Sequence, residues 1–185
     1  INDKYQQCNV NHLLVYSRAA QRMTEGGLDP HAQLARVFQI QDQITKLGGS
    51  FLDAEQHSAL AHYLDAREKL SKGQSPGDAL TEVDRALKKC FAQADKDAMC
   101  RTIAAQTEWI KSELQSGAKR IGILKEAQRK AEVATQSPEK TPDAWQVLAE
   151  AHLRQARLQG GLLKEQSAHI EEGLASVNKA LAINP

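Results

Sequence analysis

The chain has 185 residues, of which 41% are hydrophobic, only 4% aromatic and 25% charged, with 24 basic against 23 acidic side chains and a formal net charge of +1. That balance excludes recognition of nucleic acid or anionic membrane by bulk charge, and no run nears the roughly 18 apolar residues of a membrane span. The apolar residues lie in helical rather than alternating patterns, so the core is expected to come from helices alone.

The first predicted helix pair covers about residues 9 to 47, the second 53 to 93, the third 96 to 136 and the fourth 142 to 183. Asp29-Pro30, Ser75-Pro76 and Thr141-Pro142 each put a side-chain oxygen before a proline suited to the first helical turn. Gly26-Gly27, Gly73, Gly117 and Gly160-Gly161 fall where the first helix of each pair should stop. An apolar-then-small step recurs at Leu14-Val15, Leu60-Ala61, Ile103-Ala104 and Leu148-Ala149, spaced 43 to 46 residues apart. A second series, in the partner helices, runs Ala35, Ala79, Ala127 and Gly173 at spacings of 44 to 48. Two series with nearly one period imply an internal repeat.

In the second pair Leu60, Tyr63, Leu64, Arg67 and Leu70 mark one stripe, and Ala79, Leu80, Val83, Ala86 and Leu87 the facing one. In the first pair Gln39 and Asp42 take the places of Val83 and Ala86. A degenerate end repeat of that kind is expected to cap a stack.

The fourth pair carries the sharpest pattern: Trp145, Leu148-Ala149 and His152, then Gly173, Val177, Ala180 and a closing Asn184-Pro185. This order resembles the tetratricopeptide repeat. The resemblance implies an all-α fold: an α-solenoid of about four antiparallel helix pairs, with residues 1–185 as a single helical-repeat domain. The period exceeds the usual ~34 residues, which helices longer by one or two turns would absorb; a HEAT- or armadillo-like array, with a period of ~40 to 47, is the alternative. The breaks Glu25-Gly26-Gly27-Leu28-Asp29-Pro30 and Lys72-Gly73-Gln74-Ser75-Pro76 also resemble repeats that follow the catalytic domain in some bacterial serine/threonine kinases. The implied role is that of a non-catalytic kinase tail. No nucleotide loop, Val-Ala-Ile-Lys, His-Arg-Asp or Asp-Phe-Gly element is present, so no kinase activity is assigned to these residues.

Tetratricopeptide stacks hold peptides on the concave face lined by first helices. By that resemblance the partner-binding candidates are His12 and Tyr16, with Asn9, in the first pair; His62 and Asp65, with Glu55 and Ser58, in the second; Arg101, Glu108 and Trp109, with Ala105, in the third; and Gln146, Glu150 and Arg154, with Asp143, in the fourth. Trp109 is the expected aromatic anchor, and Trp145 the expected buried packing residue. The carboxylate clamp of chaperone-binding members is absent, because its places hold His12, Tyr16, Ala59, Ala98 and Thr102.

No catalytic, metal or cofactor site is expected. Six histidines are spread over different helices without a His-Glu-x-x-His, and Asp53 with His57 reads as a surface pair. His152 is expected in a core slot with its polar edge bonded or wet. Cys8, Cys90 and Cys100 lack metal-ligand spacing and read as small packing residues; Cys90 and Cys100 bracket a turn, and a bridge between them stays open. Lys119, Arg120, Lys125, Arg129 and Lys130 follow one another on a helix, interrupted by glutamates and without aromatic platforms, so nucleic acid is not the expected partner. Beginning at Ile1 without Met, the sequence reads as a piece of a longer protein, and with no leader visible the cytoplasm is the expected compartment. Two function readings follow: a scaffold that binds a protein or peptide, and a module that self-associates through the end of its stack.

Overall fold

The structure is a computed structural model that describes residues 2–48, 51–137, 141–158 and 163–184. Among these residues there are eight α-helices and no strand: α1 (Asn2–Glu25), α2 (His31–Lys46), α3 (Leu52–Ser71), α4 (Gly77–Gln93), α5 (Ala98–Glu113), α6 (Gly117–Thr135), α7 (Pro142–Leu158) and α8 (Leu163–Ile183). The expected all-α class is borne out; consecutive helices pack as α1 on α2, α3 on α4, α5 on α6 and α7 on α8, and α1 begins at Asn2 rather than near residue 9. The chain divides into two compact units, Ile1–Asp95 and Lys96–Pro185, at the junction of the second and third pairs.

Chain breaks form where the punctuation predicts them. Gly27 and Gly73 have φ of 70° and 69°, a left-handed conformation in which a Cβ would be strained. Each sits in a Schellman-type ending, with the Leu28 amide donating to the Met23 carbonyl and the Gln74 amide to the Lys69 carbonyl, both at 2.8 Å. Asp29 Oδ1 then accepts from the His31 amide at 3.0 Å as α2 begins. Gly117 differs from expectation: it opens α6, while α5 has already stopped at Glu113. Gly160-Gly161 lies outside the described residues.

In the first unit α1 packs on α2 and α3, α2 also on α3, and α3 on α4. Leu60, Tyr63 and Leu64, with all five members of the facing α4 stripe, are buried as predicted, whereas Arg67 and Leu70 are only half-buried. The first pair, however, is in another register from the one the repeat series assigned. Leu14 and Val15 are 44% and 58% exposed, and the buried stripe of α1 is Val10, Leu13, Ser17 and Ala20. Ala35 is exposed too, and α2 buries Leu34, Val37, Ile40 and Ile44 instead. The run Leu13-Leu14-Val15 offers three apolar residues for one core position, and only Leu13 keeps helical spacing with Val10, Ser17 and Ala20. Gln39 and Asp42 are therefore outward residues of an ordinary amphipathic helix.

In the second unit α5 packs on α6 and α7, α6 on α7, and α7 on α8. Ala105, Ala131 and Leu148 form a core cluster with Trp145 and Val147 against it. Trp145 is half-buried rather than enclosed, and Lys179 Nζ lies 4.4 Å from its ring centroid. On α8 the residues turned to α7 are small. Gly173, Ser176 and Ala180 are buried, and a Cβ on Gly173 would lie 3.5 Å from the Ala149 carbonyl oxygen and Leu153 Cγ. Val177, expected among the packing residues, is instead exposed.

Candidate functional site

Three arrangements have functional content. The first lies where α5 and α7 meet. There the Arg154 guanidinium stacks over the Trp109 ring at 3.7 Å, a cation–π contact that takes up the face expected to anchor a ligand. Arg154 also binds Glu113 and donates from Nε to Glu150 Oε1 at 2.8 Å, while Arg120 bridges Glu113 at 2.9 Å. Trp109 is half-buried, and its Nε1–H is enclosed without an acceptor. Glu108 is paired to Lys130 at 2.7 Å and Lys111 at 3.4 Å. Arg101 donates to the Val133 carbonyl, Gln146 is exposed and Asp143 half-buried. The structure thus brings Trp109, Glu150 and Arg154 together.

The first unit gathers its candidates less well. His12 is exposed and Tyr16 half-buried, while His62 stacks on Phe38 of α2 with ring centroids 4.7 Å apart. Burial pushes the His62 imidazole below its ordinary pKa, and Asp65 is bridged to Lys69 at 2.8 Å. Asn9, Glu55, Ser58 and Ala105 are buried, so none lines an open face. Ser58 accepts from Gln41 Nε2 at 2.6 Å, and Glu55 lies 3.5 Å from Lys89. Ala59, Ala98 and Thr102 are buried as well, so three of the five clamp positions derived from the resemblance are core positions.

His57 is a further correction: it is a core residue and not half of a surface pair with the exposed Asp53. Its Nδ1 lies 2.8 Å from Ser17 Oγ, and that hydroxyl donates its single proton to the Leu14 carbonyl at 3.0 Å. The ring therefore donates from Nδ1. Burial, with a smaller push from Arg18, holds its pKa down at about 4. Cys90 and Cys100 are both disulfide-bonded, and Cys8 is free and exposed.

The second arrangement is the outer face of α8. Ile170, Leu174, Val177 and Leu181 are 40%, 57%, 37% and 54% exposed, and their spacing of four, three and four residues keeps them on one stripe. The 46-residue offset that relates Ala127 to Gly173 maps this stripe onto Leu124, Gln128, Ala131 and Thr135 of α6. On α6 that face meets α7: Gln155 donates to Gln128 Oε1 at 2.6 Å and to the Leu124 carbonyl at 3.4 Å, and Ala131 packs with Leu148. The other exposed large apolar residues among those described form no such stripe.

The third arrangement joins α7 to α8. His152, buried, has Nδ1 3.1 Å from Glu172 Oε2 and 3.4 Å from His169 Nδ1, and His169 Nδ1 lies 3.7 Å from the same carboxylate oxygen. Burial lowers the His152 pKa. Sequence reasoning placed His152 correctly in the core but missed its partners. They sit 17 and 20 residues downstream on the paired helix, outside any local motif.

The basic residues of α6 are largely engaged within the protein: Arg120 with Glu113, Arg129 with Glu126 and Lys130 with Glu108. No described helix is long and apolar enough to cross a membrane. Comparison with protein-family models, curated proteins and solved structures gives no match.

Proposed function

We propose that this chain is a non-catalytic helical-repeat module of the tetratricopeptide kind whose work is protein–protein association, and that the outer face of α8 is its docking surface. The observation that carries this is the stripe Ile170, Leu174, Val177 and Leu181, exposed on α8 at the positions where α6 is covered by α7. The occupant is α8 of a second copy. A stripe with spacing four, three, four reads the same in both directions, so two copies laid antiparallel place Ile170 opposite Leu181 and Leu174 opposite Val177, as a two-fold interface requires. Four half-exposed side chains make a small seam, so a reversible association on the order of micromolar follows. Two disulfide-bonded cysteines favour an oxidising compartment over the cytoplasm. The kinase-tail reading is supported by the sequence order of the breaks alone.

Cross-linking tests the arrangement. With Cys8 replaced by Ser, a mixture of Ile170→Cys and Leu181→Cys chains should form a cross-linked dimer, and Ile170→Cys alone should not. Equal cross-linking of all combinations, or none, contradicts the antiparallel pair; capture of a different protein's helix in its place points to a heterologous partner.

A second reading keeps a peptide on the α5–α7 face. The enclosed, unpartnered Trp109 Nε1–H favours it, since a ligand acceptor placed in the ring plane would satisfy that donor. Trp109→Ala should then abolish peptide binding.

A further inference from the structure

We propose that His152, His169 and Glu172 form a binding site for one divalent cation of the zinc class, clipping α7 to α8, with the remaining ligand position taken by water. Two imidazole nitrogens and one carboxylate oxygen are a donor set that zinc accepts. Their separations argue for a shared centre: 3.1, 3.4 and 3.7 Å. Donors about 2.05 Å from a tetrahedral ion stand about 3.3 Å apart, whereas neighbouring donors on an octahedron of the same radius stand only about 2.9 Å apart.

The pairwise contacts are harder to satisfy without an ion. His152 Nδ1 lies within hydrogen-bond distance of both Glu172 Oε2 and His169 Nδ1, while His169 Nδ1 faces the same oxygen from 3.7 Å, beyond hydrogen-bond reach. If both carry protons to reach Glu172, two N–H groups point together; if only one does, the other ring presents a lone pair to the carboxylate. A cation at the centre accepts all three lone pairs at once. His152 is held in the packed α7–α8 contact, its Cβ 3.6 Å from where a Cβ on Gly173 would lie. His169 and Glu172 lie one turn apart on α8, and Glu172 is 59% exposed, which leaves solvent access on one side.

Calorimetric titration of the chelator-treated chain with zinc chloride tests this directly, with cobalt(II) absorption as a second measurement of coordination geometry. The parent should bind one equivalent, gain thermal stability on binding, and give the intense visible bands of a four-coordinate cobalt site. His169→Ala and Glu172→Gln, checked for helix content by circular dichroism, should each weaken binding at least tenfold and lose those bands, while His12→Ala and His31→Ala bind as the parent does. No saturable binding by the parent, binding unchanged in His169→Ala and Glu172→Gln, or loss on replacing His12 or His31 would each overturn the assignment.

Discussion

Helices α6 and α8 are each the second of two packed consecutive helices, and faces related by the 46-residue offset meet opposite fates in the two. On α6 the face holds Leu124, Gln128, Ala131 and Thr135, with Leu124 and Ala131 buried; on α8 it holds Ile170, Leu174, Val177 and Leu181, all exposed. The covered face is therefore less apolar in composition than the open one. A solvated helix face ordinarily carries polar residues, so the larger apolar side chains of α8 are better explained by burial in an association than by the folding of the lone chain. Their neighbours on the α7 side, Gly173, Ser176 and Ala180, are small because that contact is close.

Substitution can break this contrast or sharpen it. The largest effect is expected at Leu124, buried under α7: Leu124→Ala should cost roughly 2–5 kcal/mol in denaturant unfolding, whereas Leu174→Ala, measured at dilutions that favour the monomer, should change stability by no more than about 0.5 kcal/mol. Equal losses would mean that α8's outer face is covered within the single chain.

Covered and open surfaces should differ in titration as well. His57 has a folded pKa of about 4, against about 6.5 when unfolded. The unfolded chain takes up the proton first, so the stability tied to neutral His57 is complete above about pH 6.5 and is lost as pH falls towards 4, by up to roughly 3 kcal/mol. Unfolding free energies from pH 7 to 4 should carry this slope in the parent, and His57→Gln should lessen it, leaving the part that His62 and His152, also lowered by burial, contribute.

Trp145, half-buried with Lys179 over its ring, should lose less on truncation than an enclosed tryptophan: roughly 1–3 kcal/mol for Trp145→Ala. The smallest effect is expected at Gly173, where a methyl group meets only ordinary contacts at 3.5 to 3.6 Å. Gly173→Ala should raise stability by about 0.5–1 kcal/mol through helix propensity, visible as a higher melting temperature. A loss there would place α7 and α8 closer together than the structure has them.

Helix pairs and their breaks were legible because proline, glycine and capping residues act locally: Asp29, Gly27 and Gly73 do in the structure what their chemistry requires. The registers of the second and fourth pairs were legible too, since Leu60-Ala61 and Leu148-Ala149 are buried. The first pair was not, because Leu13, Leu14 and Val15 are equally apolar and only packing selects Leu13. Concave-face candidates carried over by resemblance depended on the register of each helix, which is why Glu55, Ser58 and Ala105 proved buried while Trp109 and Arg154 came together. His169 and Glu172 were invisible as partners of His152 because pairing across two helices leaves no fixed local spacing. The α8 stripe is visible in the sequence, where the 46-residue offset aligns Ile170, Leu174, Val177 and Leu181 with Leu124, Gln128, Ala131 and Thr135 of α6.

Mass in solution tests the central claim most directly. Sedimentation velocity of the parent chain from low to high micromolar concentration should follow a reversible monomer–dimer equilibrium, and Leu174→Glu with Leu181→Glu should remain monomeric throughout with unchanged helix content. A parent that stays monomeric over the whole range, or a double variant that dimerises as the parent does, would contradict association through α8.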